Sequence, residues 1–489
     1  MMYDSLIEKF QKPHRLHPAS IIFSFAKLIK ESILGLGIGL IFTLRESMVY
    51  FTIFLSLFLL VSILFSVLSW LRFTYYVEGD ELRIEQGIFI RKKRYISKNR
   101  IHKIDLTANV VHRLFKLVHV QIDTASSSDN AEVNLSAIRT SDANQLRSIL
   151  QQRERKEETE SELEEVTRKQ ISWKRLFIAG STSGSAGFIV FALLTLFSQI
   201  EQLIPSNIYD TAYDWVVNMS IVIIVVTIII ALFLLWVIGI AGTMIRYGNF
   251  TIEKRDKGLF IKRGLLETKE LTIPYERIQA IGIEQSPIRQ PFGFVRVFAV
   301  VAGGSFDDLE TFPVLFPIMR EKEVAKFIET FLPEYKENVY RELNRLPNKS
   351  RFFYLTKVLV FPIIILIPVL IFFPKFSLIP IVLLVLSGIL GWYQHKDLGV
   401  DINGRFLNFQ MRRFQKVYVI TSKNRIQAFE KSQHKIQKWF NVASIHISLL
   451  GISGLGTHYA LHHLDDGLAN TIGSWYSYRK TNEIDVDEY

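Results

Sequence analysis

Two uncharged runs decide most of what this chain can become. Residues 49–71 hold no charge before Arg72, and residues 215–245 hold none between Asp214 and Arg246. Hydrocarbon offers no water to backbone N–H and C=O groups, so runs of this kind form helices, and about 20 residues suffice to cross a bilayer. Residues 176–200 form a third run, rich in Gly and Ser, and residues 358–374 and 376–394 form two shorter ones divided only by Lys375. Residues 21–44 add a further candidate, with Lys27, Lys30 and Glu31 in its first half, where long side chains snorkel to the interface. The runs predict six spanning helices in three hairpins. The composition agrees, since 49% hydrophobic and 21% charged residues do not describe one large soluble enzyme. The absence of Cys excludes a disulfide scaffold, thiolate metal sites, iron–sulfur clusters and a cysteine nucleophile.

Charge orients the hairpins. Their turns, at Arg45-Glu46, residues 201–214 and Lys375, carry 0, −3 and +1, whereas the whole chain carries +11. The Lys and Arg excess therefore lies on the other side, which predicts a plasma-membrane protein with both termini and all long segments in the cytoplasm. Residues 1–20 are polar and mixed in charge, without the apolar centre of a cleavable signal peptide. The expected organisation is a cytoplasmic segment over 1–20, then hairpins over 21–72, 174–246 and 352–395. Soluble modules follow over 73–152, 247–335 and 396–480, with linkers at 153–173 and 336–351 and an acidic tail at 481–489.

The modules are copies of one another. Ser97-Lys98-Asn99-Arg100-Ile101 recurs as Ser422-Lys423-Asn424-Arg425-Ile426, and Pro274-Tyr275-Glu276-Arg277-Ile278 stands in the same place between them. Counted from each Arg, apolar residues follow at +1 and +4 (Ile101 and Ile104, Ile278 and Ile281, Ile426 and Phe429), and Phe115, Phe292 and Phe440 all fall at +15. At −13 stand Gly87 and Gly264, and Arg412 in the third copy. Each module opens with period-2 alternation, as in residues 76–90, continues through strands such as 118–123, 295–301 and 444–449, and closes with a helical stretch at 143–152, 321–331 or 465–478. Several strands and one terminal helix in a short segment predict a small antiparallel barrel or sandwich plugged by a helix.

At these residues the chain resembles a known family. Leu82 to Arg91 (Leu-x-Ile-x-x-Gly-Ile-Phe-x-Arg), Ile96 to Ile104 (Ile-x-x-x-Arg-Ile-x-x-Ile) and Arg113 to Leu117 (Arg-Leu-Phe-x-Leu) look like the bacterial pleckstrin-homology-like (PH-like) domain of YdbS/YdbT-type membrane proteins. The second copy matches at Leu259, Gly264, Ile273, Pro274, Arg277 and Pro291-Phe292-Gly293, and His17-Pro18 ahead of the first helix also fits. The third copy departs, with Arg412 at the glycine position and Trp439-Phe440-Asn441 where a Gly is common. The resemblance, strongest to the three-copy members, implies an α+β membrane protein in which each hairpin precedes a cytoplasmic PH-like barrel or sandwich capped by a C-terminal helix. It also implies a link to tolerance of membrane-active antimicrobials.

Candidate sites each carry two readings. Arg100, Arg277 and Arg425 suit bidentate binding of an anion or lipid headgroup, or clamping of a strand-to-strand turn through backbone carbonyls. Arg91, Lys92, Lys93 and Arg94 would draw an anionic leaflet at about 1 kcal/mol per charge, or are ordinary positive-inside enrichment. Charges at these positions in the other copies are scattered: Lys254, Arg255, Lys257, Lys262 and Arg263, then Arg412, Arg413 and Lys416. His458, His462 and His463 with Asp465 and Asp466 are the one metal-like group, and no Glu follows its first His. Gly35/Gly39 and Gly180/Gly184 are small-residue faces for helix packing. The run 154–165, seven Glu in twelve residues, reads as a solvated linker. There is no Gly-x-Ser-x-Gly elbow, Walker loop or His-Glu-x-x-His, so neither an enzyme nor a cofactor is expected. The expected partners are the lipid bilayer, anionic headgroups, a smaller single-module sister protein and further copies of the chain; no nucleic-acid platform is present. A scaffold or accessory subunit is the leading expectation, and a lipid or peptide export component the alternative.

Overall fold

The computed structural model describes residues 9–44, 48–124, 133–150, 167–184, 195, 198, 220–303, 312–451 and 456–477. The expected turns at Arg45-Glu46 and 201–214, most of the run 176–200 and the Glu-rich run 154–165 lie outside these residues. Two compact units divide the chain, Met1–Glu253 with Phe260–Thr272, and Lys254–Leu259 with Ile273–Tyr489. Among the described residues, four helices are long and apolar enough to cross a membrane: Thr52–Arg72, Val225–Tyr247, Asn348–Phe372 and Pro374–Asp397.

In the first unit, α1 (Ser20–Leu44) and α2 (Met48–Arg72) lead into β1 (Thr74–Glu78), β2 (Glu81–Gln86) and β3 (Lys92–Ser97), an antiparallel sheet in that order. Alternation along β1 and β2 turns Tyr75, Val77, Leu82 and Ile84 to a buried face. Then come β4 (Ile101–Ala108), the short α3 (Val110–Leu114), β5 (Leu117–Thr124), β6 (Val133–Arg139) and α4 (Thr140–Leu150). One core joins both strand triplets and the helix, with Leu82, Ile84, Ile122, Leu135 and Leu146 at its centre. Each such side chain contributes roughly 1.5–3 kcal/mol on burial.

The segment ahead of α1 belongs to this module. Phe10 and Leu16 are buried in its core, and the Trp70 indole N–H donates to the Leu16 carbonyl at 2.8 Å. The His17 N–H donates to the Ala137 carbonyl at 2.9 Å, and His17 Nδ1 accepts from the Ala19 N–H at 3.2 Å. The His17-Pro18 pair thus sets where α1 starts.

The chain continues through β7 (Arg168–Gln170), α5 (Trp173–Ser181), α6 (Ile221–Tyr247), β8 (Thr251–Arg255), β9 (Gly258–Arg263) and β10 (Thr268–Pro274). The first half of the second repeat does not stand alone: β10 pairs with β4 of the first repeat, Thr268 opposite Ala108, Lys269 opposite Thr107 and Glu270 opposite Leu106. The result is one seven-stranded sheet in the order β6-β5-β4-β10-β9-β8-β7.

The second unit repeats the device. It holds β11 (Ile278–Gln285), β12 (Phe294–Val301), β13 (Val314–Arg320), α7 (Glu321–Phe331), β14 (Asn344–Arg345), α8 (Arg351–Phe372) and α9 (Leu378–Asp397). After them come β15 (Gly399–Asn403), β16 (Phe406–Arg412), β17 (Lys416–Ser422), β18 (Ile426–Ser432), α10 (Lys435–Trp439), β19 (Val442–Leu449), β20 (Thr457–Asp465) and α11 (Asp466–Ser477). β11 pairs with β17 from Ala280 opposite Thr421 to Gln285 opposite Lys416, making a sheet in the order β13-β12-β11-β17-β16-β15-β14. β18-β19-β20 form a separate three-stranded sheet. Leu407, Phe409 and Val419 from one sheet share a core with Ile445, Leu461 and Ile472 from the other sheet and α11.

The glycine at −13 has a backbone reason. Gly87 and Gly264 adopt φ of +112° and +107°, and a Cβ there would lie 2.0 Å and 1.8 Å from the carbonyl oxygens of Ile90 and Glu267. In the third copy Arg412 continues β16, pairs with Lys416 across a tighter hairpin, and sends its buried guanidinium to the Asp397 carboxylate. The Gly264→Ala variant is expected to lose about 2 kcal/mol or more, read as a lower melting temperature by tryptophan fluorescence. An unchanged melt would show that the turn relaxes without strain.

Candidate interaction surfaces

The repeated arginines occupy one structural position. Arg100, Arg277 and Arg425 each end a one-turn 3-10 helix, Lys98–Arg100, Tyr275–Arg277 and Lys423–Arg425, which carries the chain from the third strand of a repeat to the fourth. The backbone is satisfied alike in each. The N–H of Lys98 donates to the Asp80 carbonyl (2.9 Å), that of Tyr275 to Lys257 (3.2 Å) and that of Lys423 to Arg405 (2.7 Å). A register shift follows each arginine, between Ile101/Lys103, Ile278/Ala280 and Ile426/Ala428. Such bulges bend and twist the strand as it leaves one sheet for the next. The Arg side chains remain half-buried or exposed. Pairing of β11 with β17 also brings the turns of Arg277 and Arg425 to the same end of their sheet, a juxtaposition that sequence spacing does not reveal.

Arg91, Lys92, Lys93 and Arg94 lie along the start of β3, all exposed. Two of the four basic residues share one acidic partner, which offsets one charge: the Glu85 carboxylate receives Arg91 at 2.5 Å and Lys93 at 3.1 Å. The Lys93 hydrogen bond, with the charge of Arg91 beside it, holds the Glu85 carboxyl below its usual range. A shallow cleft of about 430 Å³ in the second unit gathers further basic side chains, Lys322, Arg341, Arg345 and Lys416, with Glu321 among them. Sequence reasoning singles out only Lys416 among these, because the others come from two further segments, α7 and the stretch 341–345, that the fold alone brings to it.

The histidines lie on β20, outside any helix. His458 Nδ1 is 2.8 Å from Ser448 Oγ, and Gln437 Nε2 donates to His463 Nδ1 at 3.0 Å. His463 has a left-handed backbone, φ +60°, and its ring stacks on Phe353 of α8 with centroids 4.4 Å apart. The hydroxyls of Ser350 and Tyr354 donate to the carbonyls of His463 (2.6 Å) and His462 (2.9 Å). These contacts seat the third hairpin on its module. Among the described residues, no group of three or more His, Asp or Glu is placed to hold a metal ion.

These strand triplets, terminal helices and preceding spans recur three times, and the sequence profile of the bacterial PH domain matches residues 32–154, 203–335 and 352–480. The chain belongs to the bacterial PH domain family. Its bacterial PH domains are carried on a transmembrane protein. The chain is 33% identical over 492 residues to UPF0699 transmembrane protein YdbT of Bacillus subtilis (strain 168), covering 96% of this chain and 99% of that protein. No solved structure matches the chain.

Within the third bacterial PH domain, the surroundings of His463 disfavour its protonation. Burial, then the charges of His462, His434 and Lys357, push its pKa down to about 4 from an ordinary 6.5. The folded state therefore holds His463 neutral. Its contribution to stability is complete above about pH 6.5 and is lost as the pH falls towards 4. The melting temperature is expected to fall over this interval, and His463→Asn, which tolerates the left-handed backbone, to flatten that slope. Equal slopes in both proteins would remove His463 from the account.

Proposed function

We propose that this chain is a multi-pass membrane scaffold or accessory subunit that works through its three PH-like modules, with no enzymatic step of its own. The observation that carries this reading is the edge-to-edge pairing of successive repeats through β4·β10 and β11·β17, which joins each repeat to the next through backbone. Linked modules gain effective concentration for any partner that each binds weakly. In this reading the chain spans the plasma membrane six times as three hairpins, with both termini and all modules cytoplasmic. Arg91, Lys92, Lys93 and Arg94 then face the anionic leaflet, helped by the turn arginines Arg100, Arg277 and Arg425. The protein partners are further copies of the chain or a smaller single-module sister, and the setting is envelope stress or resistance to membrane-active antimicrobials. A second reading, a component of lipid or peptide export, draws support from Pro362 and Pro368 inside α8, since broken helices line transport paths in other membrane proteins. The charge-free stretches of the α2 and α6 spans weigh against it.

Blue-native electrophoresis of gently solubilised membranes is expected to show the chain in a stable particle larger than its monomer. A strictly monomeric particle would sink the scaffold reading. Orientation has its own test, because the chain lacks cysteine: Ser206→Cys is expected to react with an impermeant thiol reagent added to intact cells. Labelling only after lysis would reverse the topology.

A further inference from the structure

We propose that the chain associates head to tail with a second copy of itself, β18 of one molecule adding to the sheet of β1-β2-β3 of the next. This deepens the scaffold reading and rests on it, naming the partner and the surface. Its ground is a regularity in the two internal joints. In the first joint Ala108, eight residues after Arg100, lies opposite Thr268, nine before Arg277. In the second, Gln285, eight after Arg277, lies opposite Lys416, nine before Arg425. The two joints therefore share one register. The fourth strand of a repeat adds, antiparallel, to the third strand of the repeat that follows.

That rule leaves two strands unused. β3 is the third strand of the first repeat and has no repeat before it; β18 is the fourth strand of the last repeat and has none after it. Each lies at the outer edge of a three-stranded sheet and, among the described residues, pairs with no further strand. Their exposure differs accordingly from that of their counterparts. Val419 and Ile420 of β17 are fully buried, whereas the matching Arg94 and Tyr95 of β3 are exposed, Tyr95 at 55%. Ala280 is buried in β11, and the matching Ala428 of β18 is exposed. An open, regular strand edge is a template for another strand.

Extending the shared register sets Gln433 opposite Arg91, Ser432 opposite Lys92, Lys431 opposite Lys93, Glu430 opposite Arg94, Phe429 opposite Tyr95 and Ala428 opposite Ile96. Two of the six pairs are chemically complementary. Phe429 and Tyr95 form an aromatic cross-strand pair, and Glu430 and Arg94 are opposite in charge. The single like-charged pair is already compensated, since Lys431 holds Asp466 at 2.7 Å and Lys93 holds Glu85 at 3.1 Å. Lysine on β3 is a common guard of open edges, yet β10 carries Lys269 at the position of Lys92 and is paired there. Both free edges lie on one chain, so the contact is heterologous. It closes into a ring if the rotation allows and otherwise runs on as a row of molecules in the membrane.

The cysteine-free chain makes the register testable. Two differently tagged full-length proteins, one carrying Lys92→Cys and the other Ser432→Cys, are co-expressed and their membranes oxidised; Lys93→Cys with Lys431→Cys forms a second pair. Directly opposed residues on antiparallel strands stand about 4.5–5.5 Å apart at Cα, within disulfide reach. At least one pair is expected to give a disulfide-linked dimer carrying both tags, about tenfold more than Lys92→Cys with Glu430→Cys, which is two residues out of register. Three outcomes would overturn the proposal: no mixed dimer from either pair, equal yield out of register, or linkage only to a protein of another mass. If blue-native gels still show a larger particle in those cases, the scaffold reading survives and only this edge contact falls.

Discussion

A β-strand at the rim of a sheet presents a row of N–H and C=O groups that must be paired, covered or left in water, and the fold is organised around where those rows meet. Each repeat splits into two strand triplets. In the first repeat the triplets face each other through side chains, as Leu82 and Ile84 do with Ile122 and Leu135, and in the third as Leu407 and Phe409 do with Ile445 and Leu461. The triplets of neighbouring repeats meet through backbone, as β4 does with β10 and β11 with β17. Apolar packing tolerates adjustment in register, whereas backbone pairing fixes it, because a slip of one residue turns every side chain to the opposite face. The first and third modules are therefore held internally by burial, and successive repeats are joined by a set register, which is why both joints close at the same positions relative to the repeated arginine.

Much of this was legible in the sequence wherever the signal is local. The helix over 321–331 coincides with α7, and the strands at 118–123, 295–301 and 444–449 fall inside β5, β12 and β19. Hydrophobic periodicity reports which face of one element is buried. It does not report which strand lies alongside, so the pairing of Thr268 with Ala108 left no trace. One clue was available: Ile278, Ala280, Ile281 and Ile283 of β11 are all buried, so neither face alternates with solvent, as expected of a strand enclosed within a sheet. Phe10 and Leu16 were missed for another reason. Single apolar residues in a polar segment carry no period, and their burial depends on a groove that exists only once the module has folded.

The candidate site shows the same division between pattern and role. The recurrence of Arg100, Arg277 and Arg425 was visible, and the structure gives the backbone around them a task in common: a one-turn helix and a bulge that pass the chain from one sheet to the next. The three-residue turn makes that passage in every copy whether or not its arginine also meets an anion. The departure at Arg412 is likewise structural. Where the first two copies use a left-handed glycine, the third closes a shorter hairpin and holds it with the buried Arg412–Asp397 pair, an arrangement in which removing either partner would strand a charge.

The end strands differ from the internal ones in a way that bears on how such an array can stop. Repeat proteins commonly close with terminal units whose outer face is polar. Here Val417, Tyr418 and Val419 of β17 are replaced in β3 by Lys92, Lys93 and Arg94, and Gly282 and Ile283 of β11 by Glu430 and Lys431 in β18. The side chains become charged while the strands stay regular: neither β3 nor β18 contains a proline, and β18 keeps the bulge found in β4 and β11. Proline or a new kink would block the edge permanently. Charge leaves the backbone row intact and lowers the gain on pairing, because exposed ion pairs contribute little where buried apolar contacts contribute much. An edge of this kind is soluble alone and still able to accept a strand. The second joint buries Ala280, Ile281, Val419 and Ile420, whereas the first sets Thr268, Lys269 and Glu270 against Ala108, Thr107 and Leu106 and still pairs, so polar and charged side chains on the terminal edges are compatible with a further joint.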